Sequence, residues 1–313
     1  MNSLLTSVGW IRVRRLLWAI WALMWLTPRA EACDACGGLG AATGFGFMPL
    51  ADQTILALQW DHSLFSDGEA TPLSDVSHAL TPALRWLPAE RLRASVAVPF
   101  RFTSVQMLTT TPQQFGGVGD VQAGLEWNAW PGWGFENRRF PGWLRLGGLV
   151  SAPTGTYMQR ADDGLMMPVS YQLGRGAWGF GASMQMAVRS GRWTLSAYGT
   201  TMHFGENELR QQSGRATSVQ ASLFRTFLVR RWVLMPQLGL THEHMSSDRY
   251  YGDPVAGTAA DRLSAAPGLT MAGERAVLQL QWLQPLAKSA AEDSWQHSFR
   301  AVLAWNFAHK KTA

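Results

Sequence analysis

The chain has 313 residues, of which 47% are hydrophobic and 16% charged, with two cysteines and a formal net charge of +5. Residues 1–32 contain Arg12, Arg14, Arg15 and Arg29 against Glu31. Taking these from the totals of 27 basic and 22 acidic side chains leaves 23 against 21, or +2. That near-balance excludes the basic surface of a nucleic-acid-binding protein, and two cysteines exclude a disulfide-rich scaffold.

The N-terminus has the three parts of a secretory signal peptide. Arg12, Arg14 and Arg15 form the positive region, Leu16–Leu26 (LLWAIWALMWL) the apolar region, and Ala30-Glu31-Ala32 the small-x-small cleavage site. The apolar run is short for a bilayer-spanning helix. Cleavage after residue 32 leaves Cys33 first. A cysteine at that point also fits lipoprotein processing, although Ala30 stands where such signals usually carry leucine.

A short segment, 33–53, follows and contains Cys33-Asp34-Ala35-Cys36. A single C-x-x-C is at most half a zinc site. A local disulfide, soft-metal capture, thiol exchange and lipidation of Cys33 all fit these residues. No other cofactor is expected.

Beyond residue 53 no apolar run is long enough for a transmembrane helix, and polarity alternates with the period of β-strands. The alternation predicts strands over 54–62, 78–87, 91–103, 119–130, 142–153, 177–189, 192–204, 214–228, 231–245, 261–272, 275–286 and 295–307. In the last of these Trp295, His297, Phe299, Ala301, Leu303, Trp305 and Phe307 share one face, and Ser298, Arg300 and Asn306 lie on the other. Links alternate between tight turns (such as Ser190-Gly191 and Val229-Arg230) and longer polar loops (63–77, 104–118, 154–176, 205–213, 246–260, 287–294). The link 131–141 is long for its place in that scheme.

Of the sixteen tryptophans, four precede residue 33, and the other twelve lie in or beside these strands, most near an end. Indoles at strand ends are the girdle of a membrane barrel, because the ring is apolar while its N–H stays wet. An even number of strands, short turns on one side and long loops on the other complete the reading. The expected fold is all-β: a transmembrane antiparallel up-and-down barrel of about twelve strands over 54–307, with a tail at 308–313. The expected location is a bacterial outer membrane with both termini in the periplasm. Phe307 supplies the aromatic end that barrel-assembly machinery reads, although Ala308–Ala313 follows it. The expected partners are outer-membrane lipid, that machinery and an unidentified small molecule.

Several patterns, in order, resemble the outer-membrane family named for the meta-pathway of phenol degradation. They are Gly117-Val118-Gly119-Asp120-Val121, Ala152-Pro153-Thr154-Gly155-Thr156-Tyr157, Gly174-Arg175-Gly176-Ala177-Trp178, Gly205-Glu206-Asn207 and Arg262–Leu269. The resemblance covers roughly 45–307 and implies a barrel that passes small, hydrophobic molecules, with no substrate site to carry over.

Alternation turns Arg93, Arg101, Arg145, Arg189 and Arg300 inward, with Asp120 and Glu126 among them. Such side chains either favour anions in a pore or fill a narrow lumen as paired plugs. His242 and His244 share one strand face at metal-ligand spacing, at the long-loop rim. Met184-x-Met186 falls on the lipid side with Phe180, Ala182 and Val188. No catalytic set, Walker motif or dinucleotide fingerprint appears, and no enzyme activity is expected. The expected function is passive or facilitated passage of small hydrophobic or anionic molecules. The alternative is a barrel-anchored metal or redox accessory built on Cys33 and Cys36.

Overall fold

The computed structural model describes residues 54–67, 74–105, 113–130, 142–160, 164, 172–256, 258–288 and 294–307. The signal, the C-x-x-C segment, link 131–141 and the tail at 308–313 lie outside them.

The strands are β1 (Thr54–Asp67), β2 (Ser74–Ala89), β3 (Leu92–Ala97), β4 (Phe100–Val105), β5 (Gln113–Val118), β6 (Val121–Trp130) and β7 (Gly142–Ala152). Then come β8 (Gly179–Ser190), β9 (Trp193–Phe204), β10 (Gln211–Gln212), β11 (Ala216–Arg225), β12 (Phe227–Val229) and β13 (Trp232–Met245). The remainder are β14 (Arg249–Tyr250), β15 (Asp253–Pro254), β16 (Ala260–Ala265), β17 (Gly268–Ala272), β18 (Ala276–Lys288) and β19 (Ser294–Phe307).

Neighbouring strands pair antiparallel, and β1 pairs with both β2 and β19. The first and last strands run in register from Thr54↔Phe307 to Asp67↔Ser294, which closes the sheet. Closure leaves no free edge at β1 or β19, as crossing hydrocarbon with β-structure requires. Four spans are each interrupted once, giving β3–β4, β5–β6, β11–β12 and β16–β17, so twelve strands make the wall. Pro99 and Pro267, which have no N–H to donate, lie at two of the interruptions. Their carbonyls stay paired, accepting from Gly119 N at 2.7 Å and Trp282 N at 2.9 Å.

The two faces separate cleanly. Along β13, Met235, Gln237, Gly239 and Thr241 are buried inside, while Leu238, 65% exposed, and Leu240 point out. Leu56, Leu58, Leu125, Leu146, Phe180 and Leu195 continue the exposed apolar exterior. A contiguous band of this kind is stable only against lipid. Trp86, Trp127, Trp130, Trp193, Trp232 and Trp305 lie on it towards the short-turn end. Trp143 departs from the expected girdle: it points inward, packing against an interior apolar cluster and beneath the guanidinium of Arg145. Among the described residues no helix is long and apolar enough to cross a membrane.

Candidate functional site

The candidate site is the inward face of the barrel. It has three layers along the strands. Towards the short-turn end, Ile55, Phe224, Met235, Val277, Val302 and Ala304 belong to one buried apolar cluster. Towards the long-loop end, Met202, Phe204, Ala216 and Met245 form a second, with Leu149 and Ala260 against it. Between them the inward positions are polar: Gln59, Thr81, Gln185, Ser196, Gln237, Thr270 and Gln279 are all buried. These uncharged amides and hydroxyls are shielded within the barrel.

Charge is added to this belt unevenly. Arg300 Nε donates to Asp61 Oδ1 at 2.6 Å, an ion pair with both side chains about one-eighth exposed. Arg93 and Glu126 face each other across β3 and β6, Nη1 to Oε2 3.6 Å. Arg145 donates to Gln185 Oε1 at 3.4 Å and lies 3.7 Å over the Trp143 ring. Arg262 is the cross-strand partner of Glu243. With Arg85 and Arg101, the described side chains of the inner wall include six arginines and three carboxylates, Asp61, Glu126 and Glu243. The excess is cationic, and the low dielectric of a protein wall strengthens it.

Arg93, Arg101, Glu126, Arg145 and Arg300 therefore lie on the inward face that alternation assigns them. Arg189 lies at the short-turn end, exposed, and donates to the carbonyl of Gly191 in its own turn at 3.0 Å. Asp120 lies in the break between β5 and β6, where its carboxylate serves a loop. Asp61, Arg85, Glu243 and Arg262 were not singled out in the sequence. Asp61 and Arg262 sit within predicted strands at inward parity, but only the cross-strand register reveals their partners.

Asp120 explains why the family-like motifs occur as a set. One carboxylate oxygen accepts from Gly155 N at 3.0 Å and the other from Arg175 N at 2.8 Å. Thr154 Oγ1 accepts from Val121 N at 2.8 Å, and Asn207 Nδ2 donates to the Arg175 carbonyl at 3.1 Å. Gly155 and Gly174 meet so closely that a Cβ on Gly174 would stand 2.5 Å from the Gly155 carbonyl, which only glycine permits. The Gly119-Asp120, Thr154–Tyr157, Gly174–Gly176 and Glu206-Asn207 segments thus form one cap at the long-loop end. The cap covers β5, which pairs with β4 on one edge only. Leu173 from the same loop packs over Gly117. Arg175 also lies 4.1 Å over the Phe204 ring, tying the cap to the upper apolar cluster.

The remaining candidates face outward or lie elsewhere. His242 and His244 share the outer face of β13, and both turn towards Asp261 of β16, at 2.6 Å and 4.0 Å. Among the described residues no group of three or more His, Cys, Asp or Glu side chains is arranged to hold a metal ion. Met184 and Met186 are exposed on the lipid side. Cys33 and Cys36 lie outside the described residues.

No protein-family model matches the chain, and no curated protein matches it by sequence. The likeness to the meta-pathway family therefore rests on the motifs alone. Among solved structures the chain is similar to the COG4313 outer membrane channel from Pseudomonas putida F1. The TM-score is 0.63 and the identity 17%, over 83% of this chain and 97% of that one. This similarity is one of fold: a closed antiparallel barrel of twelve strands. The β domain of the Bordetella autotransporter BrkA (TM-score 0.46, 15% identity, 82% and 100% covered) is less similar. So is the TodX monoaromatic hydrocarbon channel (0.44, 9%, 89% and 96%). At these scores neither carries an argument.

Proposed function

We propose that the chain is an outer-membrane channel for passive or facilitated passage of small organic molecules, with a preference for anions that carry an apolar part. The observation that carries this reading is the inner wall itself. Among the described side chains, six arginines against three carboxylates stand in a belt of neutral amides and hydroxyls, and an apolar cluster lies at either end. An excess of fixed positive charge raises the local concentration of anions and lowers that of cations. The similarity in fold to an outer membrane channel supports the location. In this reading the short turns and both termini are periplasmic, the loop cap faces outward, and the barrel-assembly machinery inserts the chain.

The test is liposome swelling with isosmotic small solutes. Benzoate entering faster than benzylamine, with the difference reduced by R145Q, is the expected result. Equal rates for the two, or faster entry of the cation, would contradict the reading.

A further inference from the structure

The short-turn rim has a pattern that the inner wall does not use. Each described short turn places an arginine immediately before the outgoing strand: Arg91-Leu92, Arg192-Trp193, Arg231-Trp232 and Arg275-Ala276. In the first and last an acidic residue precedes it, Glu90 and Glu274. In the middle two none does. No Asp or Glu occurs at residues 184–205 or 209–242. These two turns are neighbours, because β11 pairs with both β9 and β13, and Thr226 N donates to the Arg192 carbonyl at 2.8 Å.

The rim between them is cationic and aromatic on one outward face. Arg225 is the cross-strand partner of Trp193, and its Cζ lies 5.2 Å from that ring and 5.0 Å from Phe227. Val229 and Trp232 pair beside them. Among the described residues Arg192, Arg225, Arg230 and Arg231 make no ion pair, and all four are exposed. Arg230 adds a second observation. It takes φ 55 at the turn position where the neighbouring hairpin has Gly191 at φ 58. A non-glycine residue there is strained, and the strained position adds another guanidinium to this rim.

We propose that Arg192, Arg225, Arg230 and Arg231, with Trp193 and Trp232, bind the phosphate headgroup of an anionic phospholipid. Guanidinium groups recognise phosphate oxygens in pairs. The indoles fix these groups at the headgroup level, where tryptophan is at rest. A partner that presents phosphate above an apolar chain matches a face on which arginine and aromatic rings interleave. An acidic protein would match only the charge.

The experiment extracts the purified full-length barrel from nanodiscs of phosphatidylcholine and phosphatidylglycerol and identifies the retained lipid by native mass spectrometry. The wild-type barrel is expected to retain phosphatidylglycerol preferentially. Each of R192Q, R225Q and R231Q should lower that preference by about fivefold, and the triple variant should abolish it. The pair R91Q and R275Q, at turns that carry their own acid, should leave it unchanged. If the triple variant fails to fold, the single variants and the loss of preference in high salt decide the matter. Equal retention of the two lipids by wild type, as an acidic protein partner would predict, overturns the proposal. So does an unchanged preference in the arginine variants, or inorganic phosphate competing as well as the lipid does.

Discussion

Arg300 and Asp61 are directly opposed across the strands that close the barrel, β19 and β1, with Nε 2.6 Å from Oδ1. The pair sits on the seam joining residues 239 apart in sequence. It therefore favours one register of closure: a slip by one residue would put the two side chains on opposite faces of the sheet, one of them towards lipid. Asp61→Asn is expected to destabilise the barrel by about 3 kcal/mol, because it leaves a largely buried guanidinium without its carboxylate. The double variant D61L/R300L should recover part of that loss. Urea unfolding in micelles followed by tryptophan fluorescence measures both. A double variant no better than D61N alone would show that the pair contributes by itself, not through the penalty of breaking it.

The cap predicts a local effect. Asp120→Ala removes two charge-assisted hydrogen bonds, each worth about 1.5–3 kcal/mol, from a loop and not from the wall. Amide exchange at Gly155 and Arg175 should accelerate by an order of magnitude or more, while the unfolding midpoint of the barrel hardly changes. Equal loss in both would mean that the cap and the wall unfold as one unit.

Asp248 gives the cap a pH dependence. Its carboxyl lies in the loop after β13, and burial raises its pKa above the usual 3.8. The hydrogen bond from Gly214 N and the charge of Arg175 act in the opposite direction and do not reverse it. The folded state thus holds this proton more tightly than the unfolded chain. The contribution is fully present below pH 3.8 and is lost as pH rises through the raised folded value. Asp248→Asn should remove that slope, measured as the pH dependence of amide exchange at Gly214. A carbon NMR titration placing Asp248 below 3.8 would contradict the account.

Arg230 tests strain directly. Relieving a left-handed arginine with Arg230→Gly should stabilise the barrel in neutral lipid by about 0.5–1 kcal/mol, the steric cost less the added backbone freedom of glycine. Thermal unfolding in phosphatidylcholine reads this, and a destabilised variant would show that the turn carries no strain.

Much of the fold was legible in the sequence because the lipid and the lumen impose opposite demands on alternate residues. All twelve predicted strands are present, and within most of them the ends agree closely. The exceptions are at the loop side. β1 reaches Asp67 and β2 begins at Ser74, where Ser63-Leu64-Phe65-Ser66 and Ser74-Asp75-Val76-Ser77 keep no strict alternation of polarity. β5, Gln113–Val118, falls in the expected loop 104–118, because its glycines carry no side-chain pattern. The inward arginines were legible by parity alone. Their partners were not, since Asp61 and Arg300 meet only through closure of the sheet. Asp120 shows the limit of parity: it was expected to line the lumen, but the chain breaks at Gly119 and its carboxylate holds the loop cap.

The central claim is that the inner wall passes anions. Single-channel recording of the purified mature barrel in a planar bilayer, with potassium chloride asymmetric across it, tests this most directly. The account predicts steady conductance steps and a reversal potential of the sign that favours chloride, moving towards zero in R93Q/R145Q. A folded barrel that gives no steps, or a reversal potential favouring potassium, would contradict it.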